Sequence, residues 1–180
     1  DVPNRYLAEG VSAVGYSGGK CLRGPQSSGL VLGRKDLLQA AFLNGAPHHA
    51  LGRPMKASKE EVMGLLAAVE MWVRRDHDAE WREWERRMQF VSDAVADLAS
   101  VTLQIHQPGR SNVTPILGIE WDAETLGIDG AGVAAALSQG EPRIEVFHGA
   151  SSVTVNPYMM EEGEEQIVAP RLRTILTGHA

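Results

Sequence analysis

The chain has 180 residues, 43% of them hydrophobic and 22% charged, with a formal net charge of −6. That suffices for one domain with a sizeable core or for two small lobes, and the negative balance argues against coating nucleic acid by bulk electrostatics, although a local basic cluster can still hold an anion. No apolar run approaches the roughly 18 residues of a membrane span, no signal-peptide pattern is visible, and the single cysteine, Cys21, excludes an internal disulfide. A cytoplasmic protein, with no membrane and no nucleic acid as partner, is expected.

The chain opens on a polar, turn-like Asp1-Val2-Pro3-Asn4 and passes through a short helix-like stretch. Residues 11–16 and Gly29–Gly33 are short and apolar and are bounded by Gly and Ser, which predicts two buried strands. Between them runs Tyr16-Ser17-Gly18-Gly19-Lys20-Cys21-Leu22-Arg23-Gly24-Pro25-Gln26. Lys20 therefore sits at a tight turn at the end of a strand, where partial desolvation would lower the pKa of its amine and let it attack a carbonyl. Cys21 reads as a small core residue.

A short amphipathic helix is predicted over 35–43, stopped by Asn44-Gly45 and Pro47. Residues 44–57 form a loop rich in Gly, Pro and His with Arg53 and Lys56 in it. Ser58-Lys59-Glu60-Glu61 is a capping box, and the helix it opens carries Val62, Leu65, Leu66, Val69, Met71 and Trp72. A charged break over 74–78 leads to a second helix. Its apolar positions Trp81, Trp84, Met88, Val91, Val95 and Leu98 alternate three and four apart, one stripe for core packing. The charges of Arg82-Glu83-Glu85-Arg86-Arg87 read as a solvated face with internal pairing.

Strands are then predicted at Val101–His106, Ile116–Trp121, 144–147 and Ser152–Val155, with helices at Gly130–Ser138 and 161–176. Strands separated by helices and polar loops suggest a small α+β lobe with a mostly antiparallel sheet. The boundary falls inside or just after the helical span 58–99.

An ordered set of motifs carries a resemblance. Ser17-Gly18-Gly19-Lys20 and Arg23-Gly24-Pro25-Gln26-Ser27-Ser28-Gly29 come first. Pro47-His48-His49-Ala50, Gly52-Arg53-Pro54-Met55-Lys56 and Lys59-Glu60-Glu61 follow at family-like spacing. Together they resemble the cofactor-lysine region of fold-type-I pyridoxal-phosphate enzymes, in the branch containing selenocysteine synthase and D-glucosaminate-6-phosphate ammonia-lyase. The resemblance implies an α/β fold: the end of a pyridoxal-phosphate-dependent transferase large domain (1–57), connecting helices (58–100) and a small α+β C-terminal domain (101–180). It also implies that the N-terminal half of the large domain is missing, supplied by the same gene or by a second chain.

The same resemblance implies the chemistry. Pyridoxal 5′-phosphate is the expected cofactor, with Lys20 as the Schiff-base lysine and the base at the substrate α-carbon. Ser17, Gly19 and Gln26 are expected at the cofactor, the backbone N–H groups of Ser17-Gly18-Gly19 and the side chain of Arg23 being further phosphate candidates. Arg53 and Lys56 are expected to hold an anionic part of the substrate, and Arg143 its carboxylate. A lysine at position 56 departs from the selenium-transferring pattern. His49, or its neighbour His48, serves as an acid/base or phosphate partner or else as a hydrogen-bonded loop histidine; both readings stand.

The aspartate that grips the pyridinium nitrogen in such enzymes is expected upstream of Asp1. The expected reaction is β-elimination with ammonia loss from an amino acid or amino-sugar acid, through an external aldimine, in a homodimer or larger assembly. The alternatives are transfer chemistry on seryl-tRNA, racemisation or aldol cleavage, and a non-catalytic structural or interaction module.

Overall fold

The computed structural model describes residues 2–109 and 113–178 and divides the chain into two compact units, Asp1–Arg75 and Asp76–Ala180. Asp1 lies outside the described residues. The turn expected over the next three residues is instead the start of helix α1, Val2–Ala8. A proline in the first turn costs no intrahelical hydrogen bond, and Arg5 pairs with Glu9 at 3.1 Å one turn on.

In the first unit, β1 (Ala13–Ser17) and β2 (Gly29–Gly33) pair antiparallel, with Ser17 opposite Gly29. The strand begins at Ala13 rather than at residue 11 because the Val11 N–H donates to the Tyr6 carbonyl at 3.0 Å and closes the turn after α1. Neither strand is buried as the apolar sequence had predicted, and Val31 is 55% exposed. The reason is architectural: a two-stranded ribbon gives each strand a single neighbour, and exposed residues alternate with half-buried ones along β1 and along β2 as far as Leu32. Helix α2 (Lys35–Asn44) leads to the 44–57 loop and a short 3-10 turn at Arg53–Met55.

Helix α3 (Lys59–Arg74) starts at the predicted capping box. Glu61 N–H donates to Ser58 Oγ at 3.2 Å, and Ser58 N–H donates to Glu61 Oε2 at 2.8 Å. Its predicted apolar set does not form one buried stripe. Leu65 and Ala68 are buried, whereas Val62, Leu66 and Met71 are exposed.

The second unit begins with Asp76, whose carboxylate caps α4 (His77–Val95) by accepting from Ala79 N–H at 2.9 Å. Strands β3 (Val101–His106), β4 (Ile116–Trp121), β5 (Phe147–His148) and β6 (Ser152–Val155) form an antiparallel sheet in the order β3-β4-β6-β5. Between β4 and β5 lie α5 (Ala123–Leu126) and α6 (Gly130–Ser138), and α7 (Glu165–Leu176) closes the chain. The predicted strand 144–147 shrinks to β5, because Ile144 N–H bonds to the Leu137 carbonyl at the end of α6 rather than to β6. The last helix starts four residues later than predicted. Gly163 adopts a left-handed φ of 89°, which a continuous helix cannot contain.

One face of the sheet packs on the helices. Leu117, Ile119, Trp121, Val153 and Val155 meet Met88, Val91 and Val95 of α4, Val133 and Leu137 of α6, and Leu172 and Ile175 of α7. The predicted stripe of α4 is thus core, each buried side chain contributing about 1.5–3 kcal/mol relative to exposure. Trp84 is buried with its ring 5.9 Å from that of Tyr158, and Trp121 donates its indole N–H to the Ile128 carbonyl at 2.7 Å. The charge run is more than a solvated face. Arg86 and Arg87 both donate to Glu83, at 2.7 and 2.9 Å; Arg86 also reaches buried Glu165 of α7, and Arg87 bonds the Met160 carbonyl.

Candidate active site

Ser17 ends β1 with its side chain exposed, and the chain then folds back on itself before β2. Gly18 N–H donates to the Ser28 carbonyl at 2.8 Å, Gly24 N–H donates to the Gly18 carbonyl at 2.8 Å, and Arg23 N–H donates to the Lys20 carbonyl at 2.8 Å. Of the backbone N–H groups expected to face an anion, that of Gly18 is therefore committed inside the turn. Arg23 takes a left-handed φ of 59°, the conformation that reverses the chain after Lys20.

Two glycines are required here by space. A Cβ at Gly18 would lie 2.0 Å from Ser28 Oγ, and one at Gly19 would lie 2.5 Å from Gln26 Cα and 2.7 Å from Gln26 Oε1. The turn is closed that tightly, and Lys20 projects from it into solvent. The desolvation expected for this amine is not supplied by the described residues of this chain, which leave Lys20 exposed. Ser17, Gly19, Lys20 and Gln26 are brought together at this one hairpin end; Cys21 is half-buried beside them.

The same loop rests on α3. A Cβ at Gly64 would meet Pro25 Cγ at 2.7 Å, a Cβ at Gly24 would meet Ala68 Cβ at 3.3 Å, and one at Gly18 would meet Leu65 Cδ1 at 2.9 Å. Ser27 Oγ–H donates to Glu61 Oε1. Sequence reasoning missed this seat. Gly64, a glycine in mid-helix, was the available signal, since such a residue usually marks a close approach; nothing in the sequence marks Ser27.

The basic residues lie on the loop before α3. Gly52 N–H donates to the Asn44 carbonyl at 2.8 Å and draws the two ends of the loop together. Arg53, half-buried, opens the 3-10 turn, and Lys56, exposed, follows it. His48 is a hydrogen-bonded loop histidine: its Nδ1 donates to the Phe42 carbonyl at 3.1 Å and its ring stands edge-on to Phe42. His49 is exposed. Arg143 belongs to the other unit, where its guanidinium donates to Glu145 at 2.5 Å. Hydrogen bonds from Ser138 and then Arg143 hold the Glu145 carboxyl below its ordinary range.

D-glucosaminate-6-phosphate ammonia lyase of Salmonella typhimurium (strain 14028s / SGSC 2262) is 29% identical over 175 residues, covering 94% of this chain and 45% of that protein. L-seryl-tRNA(Sec) selenium transferase of Proteus mirabilis (strain HI4320) is 34% identical over 71 residues, 39% of this chain and 14% of that protein. The chain is a homologue of the ammonia-lyase and selenium-transferase branch. A Streptomyces sp. protein, 5′-C-glycyluridine monooxygenase-decarboxylase, is 30% identical over 182 residues, 97% of this chain and 44% of that protein.

The solved structure of D-glucosaminate-6-phosphate ammonia-lyase superposes with a TM-score of 0.69 at 26% identity, over 97% of this chain and 46% of that one. A chain of the SepCysS–SepCysE N-terminal domain complex shares the fold, with a TM-score of 0.53 at 11% identity. The branch homologue thus has the expected α/β architecture, that of the C-terminal region of pyridoxal-phosphate-dependent enzymes. It spans about half the length of the curated relatives it matches. No family model matches the chain.

Proposed function

We propose that this chain carries the lysine of a pyridoxal 5′-phosphate-dependent lyase, acting on an amino acid or amino-sugar acid by α-proton removal, elimination of the β-substituent and hydrolytic loss of ammonia. The observation that carries the reading is the hairpin end: an exposed amine, Lys20, fixed by two glycines that admit no Cβ, with the exposed Ser17 hydroxyl and Gln26 beside it. Those residues fit a phosphorylated aldehyde, which needs one reachable amine and neutral donors nearby for its phosphate. The match to the ammonia lyase runs over 94% of this chain, against 39% for the selenium transferase, which favours lyase over transferase.

Bound there, pyridoxal 5′-phosphate supplies an aldehyde for an amine and a ring that delocalises the electron pair left at the α-carbon. The rest is work for this chain's residues. Lys20 holds the cofactor until substrate arrives, and its amine then takes the proton from the substrate α-carbon. The Ser17 hydroxyl would be a donor to the phosphate, and Gln26, packed over Gly19, would be the neighbouring amide. Arg53 offers a planar fork and Lys56 a point charge to a phosphate or carboxylate of the substrate, with His49 as a further polar partner. Arg143 reaches a substrate carboxylate only by exchanging Glu145 for it. The remaining length found in the relatives would complete the site, in a homodimer or larger cytoplasmic assembly.

Borohydride reduction of the complete gene product in the presence of pyridoxal 5′-phosphate, followed by peptide mass analysis, tests this directly. The expected adduct is on the peptide containing Lys20, and its absence overturns the reading. Release of ammonia from a 2-amino-sugar acid then distinguishes the lyase from carbon-dioxide release, the outcome that would favour chemistry like that of the Streptomyces relative.

A further inference from the structure

Glu61 closes the cap of α3, and the structure gives it a second bond. While Oε2 accepts from Ser58 N–H at 2.8 Å, Oε1 accepts from the hydroxyl of Ser27, which lies on the loop that carries Lys20. One carboxylate therefore joins that loop to the residue at which the Arg53–Lys56 loop gives way to helix. The glycines of this loop and of α3 add close packing: Pro25 lies against Gly64, Gly24 against Ala68 and Gly18 against Leu65. Such contacts hold a loop down but let it slide, whereas a hydrogen bond fixes direction and register.

We propose that Glu61 is a positioning residue for Lys20. By holding Ser27 it sets the register of the 18–28 loop on α3, and with it the place of the Lys20 amine relative to the basic loop that ends at Ser58. The inference rests on the reading of Lys20 as the cofactor lysine. A carboxylate suits the task because it offers one oxygen to each of two donors. A glutamine offers one oxygen and an NH2 group, so Glu61→Gln leaves a donor facing a donor on one side.

The experiment separates the two bonds in the complete gene product. Ser27→Ala removes the tie to the loop and leaves the cap; Ser58→Ala removes the side-chain half of the cap and leaves the tie. Amide hydrogen exchange and the dissociation constant for pyridoxal 5′-phosphate are measured for each. In Ser27→Ala the amides of Gly18 and Gly24 should exchange about fivefold faster, the effect of one ordinary hydrogen bond. The first turn of α3 should stay as in wild type, and the cofactor dissociation constant should rise by a similar factor. In Ser58→Ala the first turn of α3 should exchange faster with cofactor binding unchanged. Unchanged exchange in Ser27→Ala overturns the anchoring, and faster exchange with unchanged cofactor binding overturns the positioning role. A wild-type protein that takes up no cofactor at Lys20, but shows the expected exchange pattern, overturns the reading of Lys20 and leaves Glu61 only as a loop anchor.

Discussion

Arg86 of α4 donates to the carboxylate of Glu165 at 2.6 Å, and Glu165, the first residue of α7, is only 1% exposed. The same guanidinium donates to Glu83 at 2.7 Å, so one arginine neutralises a carboxylate on its own helix and another on the neighbouring one.

Acid should therefore loosen the second unit. Hydrogen bonds from Arg86, and then from Arg87, hold the Glu83 carboxyl at about 2, below its ordinary 4.5. Burial pushes the Glu165 carboxyl up, but the hydrogen bond from Arg86 and the nearby charges outweigh it, and the net direction is down. Both carboxylates are easier to ionise folded than unfolded, so their contribution is complete above about pH 4.5 and is lost as pH falls toward about 2. Urea unfolding followed by far-ultraviolet circular dichroism should show a midpoint that falls across that window. In Glu83→Gln the fall should be shallower; an identical slope would remove Glu83 from the account.

Gly19→Ala should open the Lys20 turn. The new methyl would sit 2.5 Å from the Cα of Gln26, which is backbone and cannot rotate away. Overpacking of this kind costs about 1–3 kcal/mol. Faster amide exchange at Gly24, whose N–H closes the loop onto Gly18, is the readout, and wild-type exchange would mean the loop absorbs the methyl.

Lys20→Arg keeps the charge and exposure of the side chain but removes the nucleophile, since a guanidinium stays protonated. The borohydride-stable adduct should vanish while the unfolding midpoint stays within about 0.5 kcal/mol of wild type, as for other surface changes. An adduct that persists would move the reactive amine elsewhere.

Leu172→Ala should destabilise the second unit by about 2–5 kcal/mol, because this side chain of α7 is fully buried in the core formed with α4, α6 and the sheet. Chemical denaturation measures it, and a loss well under 1 kcal/mol would mean that the core collapses into the space.

The second unit was largely legible in the sequence, and the first only locally. Trp84, Met88, Val91 and Val95 repeat at helical spacing, and Leu117 and Ile119 alternate as a half-buried strand should; periodicity suffices where a complete core exists to reward it. Val31, Val62 and Met71 are equally apolar but exposed, because hydropathy reports what a residue favours and not whether a neighbouring layer is present. At the candidate site, Ser17, Gly19, Lys20 and Gln26 were legible because the turn that joins them is short. The seat of that turn on Glu61, Gly64, Leu65 and Ala68 was not, since residues so far apart in sequence meet only through the path of the loop. The start of α7 was misread for a smaller reason, the backbone sign at Gly163.

The tryptophans are unevenly shared between the units. Of the four in the chain, Trp72 alone belongs to the first, whereas Trp81, Trp84 and Trp121 belong to the second, where Trp84 packs on Tyr158 and Trp121 is hydrogen-bonded to Ile128. Intrinsic fluorescence will accordingly follow the unit without Lys20. The hairpin that carries the amine can open with little change in emission, and a normal emission spectrum is no assurance that the lysine is in place.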